Sequence, residues 1–184
     1  MTAAENLCEI IHRDRGLPVV VLRTARFFPE PDDADDVRTA YDDANVKANE
    51  YLYRRVDLQD VAGAHLVAME RAPRIGFGRY IISATTPFTR EDLAELRTAA
   101  PEVVRRRFPD FEDVYARRGW RMFPGIGRVY VNTRAREELG WMPRYDFRHV
   151  LDSMAMNRDF RSPLALAVGA KGYHAESTGV YTAR

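Results

Sequence analysis

Apolar positions recur at three- and four-residue spacing from the start of the chain. Ala3, Ala4, Leu7, Cys8 and Ile11 share one face of a helix predicted over residues 3–15, with Gly16 as its stop. That helix begins with no cap and no preceding element. The pattern then changes to an unbroken, β-branched run, Leu17–Leu22, which reads as a strand buried on both faces of a parallel sheet. Arg79–Ser83 reads as a second buried strand. Between them lies an acidic stretch at 30–43, and a helix is predicted from Asp35 to Leu52 with Val37, Tyr41, Ala44, Ala48 and Leu52 as its buried stripe. A short strand is expected at Arg54–Asp57, then a helix capped by Asp60 and running through Val61, His65, Leu66 and Met69.

Beyond the second strand, Thr89-Arg-Glu-Asp opens a helix with a capping-box pattern. Residues 97–121 read as basic and irregular, and Tyr130–Val131 as a short strand. Helices follow at Thr133–Leu139, stopped by Gly140, and at Phe147–Met156. The remaining residues, with Gly169, Gly172 and Gly179, show little periodicity. The expected division is therefore 1–156 and an irregular tail, 157–184.

Composition narrows the function classes. With 46% hydrophobic and 30% charged residues, the chain suits a soluble globular domain rather than a disordered one. A net charge of +1 gives no global attraction to nucleic acid or to an anionic membrane. Cys8 is the single cysteine, so no internal disulfide forms. No apolar run approaches the roughly 18 residues of a membrane span, and no signal peptide is present, so a cytoplasmic location is expected. Arg105–Arg107 and Arg117–Arg118, interleaved with Phe108, Phe111, Tyr115 and Trp120, could suggest a nucleic-acid patch. Glu102, Asp110, Glu112 and Asp113 dilute it, and a solvated surface or a helical lid over an anionic substrate is the expectation. His12, His65, His149 and His174 stand alone, without metal-ligand spacing. The aspartates at 32–36 lack the glycine and terminal glutamate of a calcium loop, and no Gly-x-Ser-x-Gly elbow occurs.

Five segments together carry a resemblance. They are Thr2-Ala-Ala-Glu-Asn-Leu-Cys8, Leu17-Pro-Val-Val-Val-Leu-Arg23, Arg55-Val-Asp-Leu-Gln-Asp60-Val-Ala, Tyr80-Ile-Ile-Ser83 and Ala135-Arg-Glu-Glu-Leu-Gly-Trp141-Met-Pro143. In this order and spacing, over about residues 1–155, the chain resembles the C-terminal part of an extended short-chain dehydrogenase/reductase of the NAD-dependent epimerase/dehydratase family. The resemblance implies an α/β fold: a partial doubly wound, Rossmann-like sheet remnant plus a small mixed α/β substrate-binding lobe. It implies NAD or NADP in the full-length family and a nucleotide sugar or similar polar substrate.

Two features of that family are missing from the 184 residues. A dinucleotide needs a Gly-rich turn running into a helix, but Gly76-Phe-Gly78 and Gly125-Ile-Gly127 both run into strand-like sequence. Proton exchange needs a tyrosine four residues before a lysine, and Lys47 and Lys171 are preceded there by Asp43 and Ala167. Alignment of the first helix puts Met1 at or next to the family's lysine position. The expectation is a chain with no catalytic residue and no metal of its own, which binds no cofactor alone.

The resemblance nominates Arg26, Arg55 (or its neighbour Arg54) and Arg128 as substrate-binding, each suited to a phosphate through its planar fork. Arg26 could instead pair with the acidic run, Gly125 and Gly127 would leave room for a ligand beside Arg128, and an exposed charge is the alternative there. Phe27 and Phe28 fall where relatives pass beside the nicotinamide, with simple core as the alternative. The departure from the family's Asn-x-Tyr-Gly-Pro at this loop argues against an ordinary sugar-nucleotide substrate. Self-association through an exposed sheet edge is expected. The alternative function is a non-enzymatic remnant that binds a nucleotide-sugar-like ligand or a dehydrogenase partner.

Overall fold

The computed structural model describes residues 2–32 and 34–169. The first helix, α1 (Thr2–Arg15), stops where Gly16 takes a φ of 66° and its N–H bonds the His12 carbonyl at 2.8 Å. Strand β1 (Val19–Thr24) follows and pairs in parallel with β2 (Phe77–Ile82), in a register running from Val19 opposite Phe77 to Thr24 opposite Ile82. A parallel pair cannot be closed by a tight turn and needs a crossover. The 18-residue helix α4 (Leu58–Ile75) supplies it and packs on both strands. The architecture is α/β, and no helix among the described residues is long and apolar enough to cross a membrane.

Two apolar clusters organise the chain. One lies between the sheet and α4 and contains Val56, Val61, Ala64, Tyr80, Ile82 and Trp141. The other gathers Leu52, Leu96, Val103, Tyr115, Phe147 and Leu151 from the remaining helices. Those helices are α3 (Asp43–Glu50), α5 (Leu93–Leu96), α6 (Ala100–Arg107), α7 (Phe111–Ala116) and α8 (Phe147–Ala155), while α2 (Asp35–Ala40) buries none of its residues.

Several expectations give way to tertiary contacts. The helix predicted from Asp35 to Leu52 is two helices, because Tyr41 leaves helical geometry at φ −138° and ψ 145°. Its ring packs edge-on against Phe123 at 5.0 Å, while the Arg121 guanidinium lies 4.6 Å from its centroid. Asn45 and Asn49 both donate to the Arg121 carbonyl at 3.0 Å, which fixes α3 against the same segment. The 97–121 stretch, expected to be irregular, carries two helices, α6 and α7, joined and flanked by turns. The arginines on α6 are matched: Arg105 with Glu102 and Glu112, Arg106 with Glu95, Arg107 with Asp92. Thr89 donates its N–H to the Asp92 carboxylate at 2.9 Å, as a capping box would, but the helix expected to open there, α5, starts only at Leu93 with Asp92 before it. Arg54–Asp57 forms a single parallel bridge between Arg55 and Arg26 instead of a strand. Tyr130–Val131 is likewise no strand, although the Tyr130 N–H donates to the Tyr53 carbonyl at 2.8 Å.

The cap of α4 is Asp57, which accepts from the Gln59 N–H at 2.7 Å, and not Asp60. Asp60 instead accepts from the backbone N–H groups of Arg144 and Tyr145 at 3.0 Å. Residues Ala135–Leu139 form a π-helical turn, ended by Gly140 at a φ of 71°. The stretch after Asn157 was expected to be irregular, yet it carries α9 (Pro163–Val168), capped by Ser162, whose hydroxyl accepts from the Ala165 N–H at 3.0 Å. Gly172, His174 and Gly179 lie outside the described residues.

Strand β1 is half-buried at Val19–Leu22 rather than buried on both faces, because β2 is its one partner among the described residues. Beside it, α1 and its exit leave Leu7, Ile10 and Leu17 exposed.

Burial raises the Asp60 carboxyl above its ordinary range, against the pull of its two backbone donors. Truncating Asp60→Ala strands both N–H groups and should cost about 2–3 kcal/mol. Urea unfolding followed by circular dichroism measures this, and an unchanged midpoint would show that water serves those groups equally well.

Candidate functional site

Ligands of open α/β sheets gather beyond the carboxyl ends of the strands. Here that end is built by three backbone segments laid side by side. The Ala25 N–H bonds the Ile82 carbonyl at 2.8 Å, and the Arg26 N–H bonds the Arg54 carbonyl at 3.0 Å. Val56 N–H returns to the Arg26 carbonyl at 3.0 Å, and Ala84 N–H reaches the Arg55 carbonyl at 2.8 Å. The ladder brings Arg26, Arg54 and Arg55 together from positions far apart in sequence.

Their charges converge on Glu50, a residue with 0% exposure. Its carboxylate accepts from Arg55 Nη1 at 2.6 Å and from Arg54 Nε at 3.0 Å, with Arg26 Nη1 at 3.6 Å. A second carboxylate, Asp32, accepts from Arg26 Nη1 at 2.8 Å, Arg54 Nη2 at 3.2 Å and the Ala34 N–H at 3.0 Å. Burial pushes the Asp32 carboxyl up, but the Ala34 N–H and the guanidinium groups of Arg26 and Arg54 outweigh it and hold the group below its ordinary value. Burial likewise raises the Tyr53 phenol to about 12, with Arg54 opposing. Arg55 is only 6% exposed, and its other arm donates to the Phe28 carbonyl at 2.5 Å. Lys47 donates to the Pro29 carbonyl and to Asp43. The loop from Arg26 to Asp32 is thus held from behind by buried charge.

The sequence nominations separate accordingly. Arg26, Arg55 and Phe27 meet at this end of the sheet. Arg55 has its donors directed at Glu50 and Phe28, so it positions the loop, whereas the Arg26 side chain keeps one-third of its surface open to solvent. Phe27 packs against the sheet cluster, and Phe28 is 61% exposed with its ring 4.2 Å from that of Phe27. Arg128 lies outside this cleft, exposed and without an ion pair among the described residues. The glycine beside it has a packing reason: a Cβ at Gly125 would sit 2.3 Å from the Arg97 carbonyl oxygen. Gly127, by contrast, faces open space.

A cavity of about 40 Å³ between Phe27, Lys47, Tyr51, Arg55 and Asp57 is walled on its far side by Phe160, Arg161 and Ala165. Sequence reasoning missed Glu50 and this far wall, whereas the alternative it gave for Arg26, pairing with the acidic run, is met at Asp32. The four-residue spacing of Glu50 and Arg54 was a readable signal, but nothing local marked Phe160 or Arg161.

The described residues do not form a dinucleotide cradle. Gly76 leads into β2, not into a helix N-terminus, and a Cβ at Gly78 would collide with the Tyr80 ring at 2.5 Å. No group of three or more metal-ligating side chains occurs among them.

Two consequences follow for stability. Glu50→Ala leaves Arg55 buried without its counter-charge and should cost about 3–5 kcal/mol, read by chemical denaturation. Asp32 binds fewer protons folded than unfolded, so its contribution is present above its ordinary value of 3.8 and is lost as pH falls below it. Asp32→Asn should therefore flatten the acid limb of a stability–pH profile, and an unaltered limb would refute this.

No protein-family profile matches the chain, and no curated protein matches it. Among solved structures it is similar to UDP-N-acetylglucosamine 4-epimerase from Bacillus cereus, at 18% identity and a TM-score of 0.47, over 85% of this chain and 49% of that one. The chain spans about half the length of that structure.

Proposed function

We propose that this chain is the substrate-facing portion of an NAD(P)-dependent epimerase, dehydratase or reductase that acts on a nucleotide sugar or a similar polar anion. One observation carries the reading: five family-like motifs occur in order, and the residues they nominate, Arg26, Phe27 and Arg55, meet at the carboxyl ends of two parallel strands. In this reading Arg26 offers its half-open guanidinium to a diphosphate, Arg55 and Glu50 hold the loop that carries it, and Arg128 adds a contact from outside the cleft. Phe27 and Phe28 line the nicotinamide side. The dinucleotide cradle and the lysine-tuned phenol are absent from these residues, so the chain by itself neither binds nicotinamide nor turns over substrate. The location in this reading is cytoplasmic.

The exposed Leu7, Ile10 and Leu17 beside the open edge of β1 support a companion proposal, self-association through that face. Sedimentation at rising concentration should show association that Ile10→Glu weakens. A monomer at every concentration would refute it.

The second reading, a non-enzymatic module that pairs with a dehydrogenase-like partner, draws on the small size of the cleft, since about 40 Å³ cannot hold a sugar. Calorimetry with UDP-glucose separates the two. The first reading expects binding that Arg26→Ala weakens about tenfold, with no change in the fluorescence of added NADH. Absence of binding even after removal of residues 163–184, which opens the cleft, would sink it. Turnover of NADH by the chain alone would refute the claim of inactivity.

A further inference from the structure

The loop after β1 has two flanks, and they are fastened in different ways. On one, Phe27 and Pro29 face the strand-end cleft, walled by Phe160, Arg161 and Ala165. That wall is secured by the buried Phe160 ring and by Ser162, a residue with 0% exposure whose N–H donates to the Asp57 carboxylate at 3.1 Å. It also parts the cleft from a groove of about 340 Å³ lined by Arg158, Arg161 and Trp120. On the other flank stands the segment that runs from Asp32 through α2. Among its described residues up to Ala40, Asp32 alone is buried. What holds the start of this segment is charge: the Asp32 carboxylate accepts from Arg26 Nη1 at 2.8 Å and from Arg54 Nη2 at 3.2 Å. Arg38 of α2 donates to the Asp32 carbonyl, so helix and carboxylate move together. The far end is tied separately, by Arg121 Nη2 donating to the Ala40 carbonyl at 2.6 Å and by Tyr41 against Phe123.

The two carboxylates of the network are therefore not equivalent. Glu50 ends α3, where every residue from Asn45 to Glu50 is buried, so its carboxylate is fixed by the core around it. Release of Asp32, by contrast, moves a segment that has no other buried residue among those described. A phosphate oxygen pairs with a guanidinium as a carboxylate oxygen does. Arg26 Nη1 is thus already taken by an anion of the chain itself, and Asp32 bridges Arg26 and Arg54 where the oxygens of an incoming anion would lie.

We propose that Asp32 is an autoinhibitory latch: it holds Arg26 and Arg54 until a diphosphate-bearing ligand displaces it, and its displacement frees the 32–40 segment. The inference rests on the reading of Arg26 as a diphosphate contact and adds the regulation of that contact. Ligand entry and release of the segment become one equilibrium. The measured affinity is then the intrinsic one scaled down to the share of molecules whose latch stands open.

Calorimetry with inorganic pyrophosphate on the full chain reads the latch. Asp32→Asn keeps the shape of the side chain and removes its charge, and should tighten pyrophosphate about tenfold. Asp36→Asn removes the same charge from an exposed position of the same segment and should shift the affinity by less than about twofold. Arg26→Ala should weaken binding. The parent chain alone gives a second readout. Trypsin should cut after Arg38 several-fold faster with pyrophosphate than without, measured against the cut after Arg13 in α1. In Asp32→Asn the Arg38 cut should be fast from the start, and if that variant unfolds the parent chain decides alone. Two results would overturn the latch and leave the reading of Arg26 standing: Asp32→Asn that binds no more tightly than Asp36→Asn, or an Arg38 cut that pyrophosphate leaves unchanged while Arg26→Ala still weakens binding. If neither the parent nor Asp32→Asn binds pyrophosphate, the latch and that reading fall together.

Discussion

A carboxylate shut away from water must find counter-charge, and Glu50 finds it in Arg54 and Arg55, with Arg26 close by. Isolated burial of that charge would cost several kcal/mol, so the helix end carrying Glu50, the extended segment at 54–56 and the loop after β1 are obliged to meet. The backbone ladder linking Arg26, Arg55 and Ala84 is the geometric expression of that requirement. The carboxyl end of the sheet, the most function-bearing part of an α/β fold, is therefore set by an ion network rather than by apolar packing alone. Replacing one member redistributes charge through all of them, since Asp32 and Glu50 share Arg26 and Arg54.

How much of this was legible in the sequence depended on whether the signal was local. The β1 and β2 runs, the Gly16 stop and the Gly140 stop all rest on neighbours within a few residues, and all were read to within a residue or two. The break at Tyr41 was not, because its cause is Phe123 and Arg121 about eighty positions later. Asp60 was mistaken for a cap because its partners, Arg144 and Tyr145, are equally remote, while Asp57 three residues earlier took the local role.

The candidate site divides the same way. Arg26, Phe27 and Arg55 could be nominated from short motifs, but what separates them is burial. Arg26 keeps a third of its side chain in solvent while Arg55 keeps almost none. Pattern alone gives two arginines the same weight; only the position of Glu50 makes one a holder of structure and leaves the other available. Gly125 makes the same point for backbone, since its need for a hydrogen comes from the Arg97 carbonyl and not from a ligand.

The segment from Asn157 to Gly169 shows why a stretch without periodicity can still decide a surface. Its order comes from Phe160, buried in the helical core, and from polar attachments that include Arg158 N–H to Ser153, Ser162 N–H to the Asp57 carboxylate at 3.1 Å, and the Ser162 cap on α9. Asp57 serves α4 and this returning segment with its two oxygens, so the motif that starts the crossover helix also fixes the wall shared by cleft and groove. Hydrophobic periodicity cannot register such a connection, because it rests on one buried ring, Phe160, and on single hydrogen bonds at the ends of helices. A wall fastened at its two ends and lined by Arg158 and Arg161 presents positive charge to one groove and closes the other. The shape of the groove and access to the strand-end cleft are thus properties of one element.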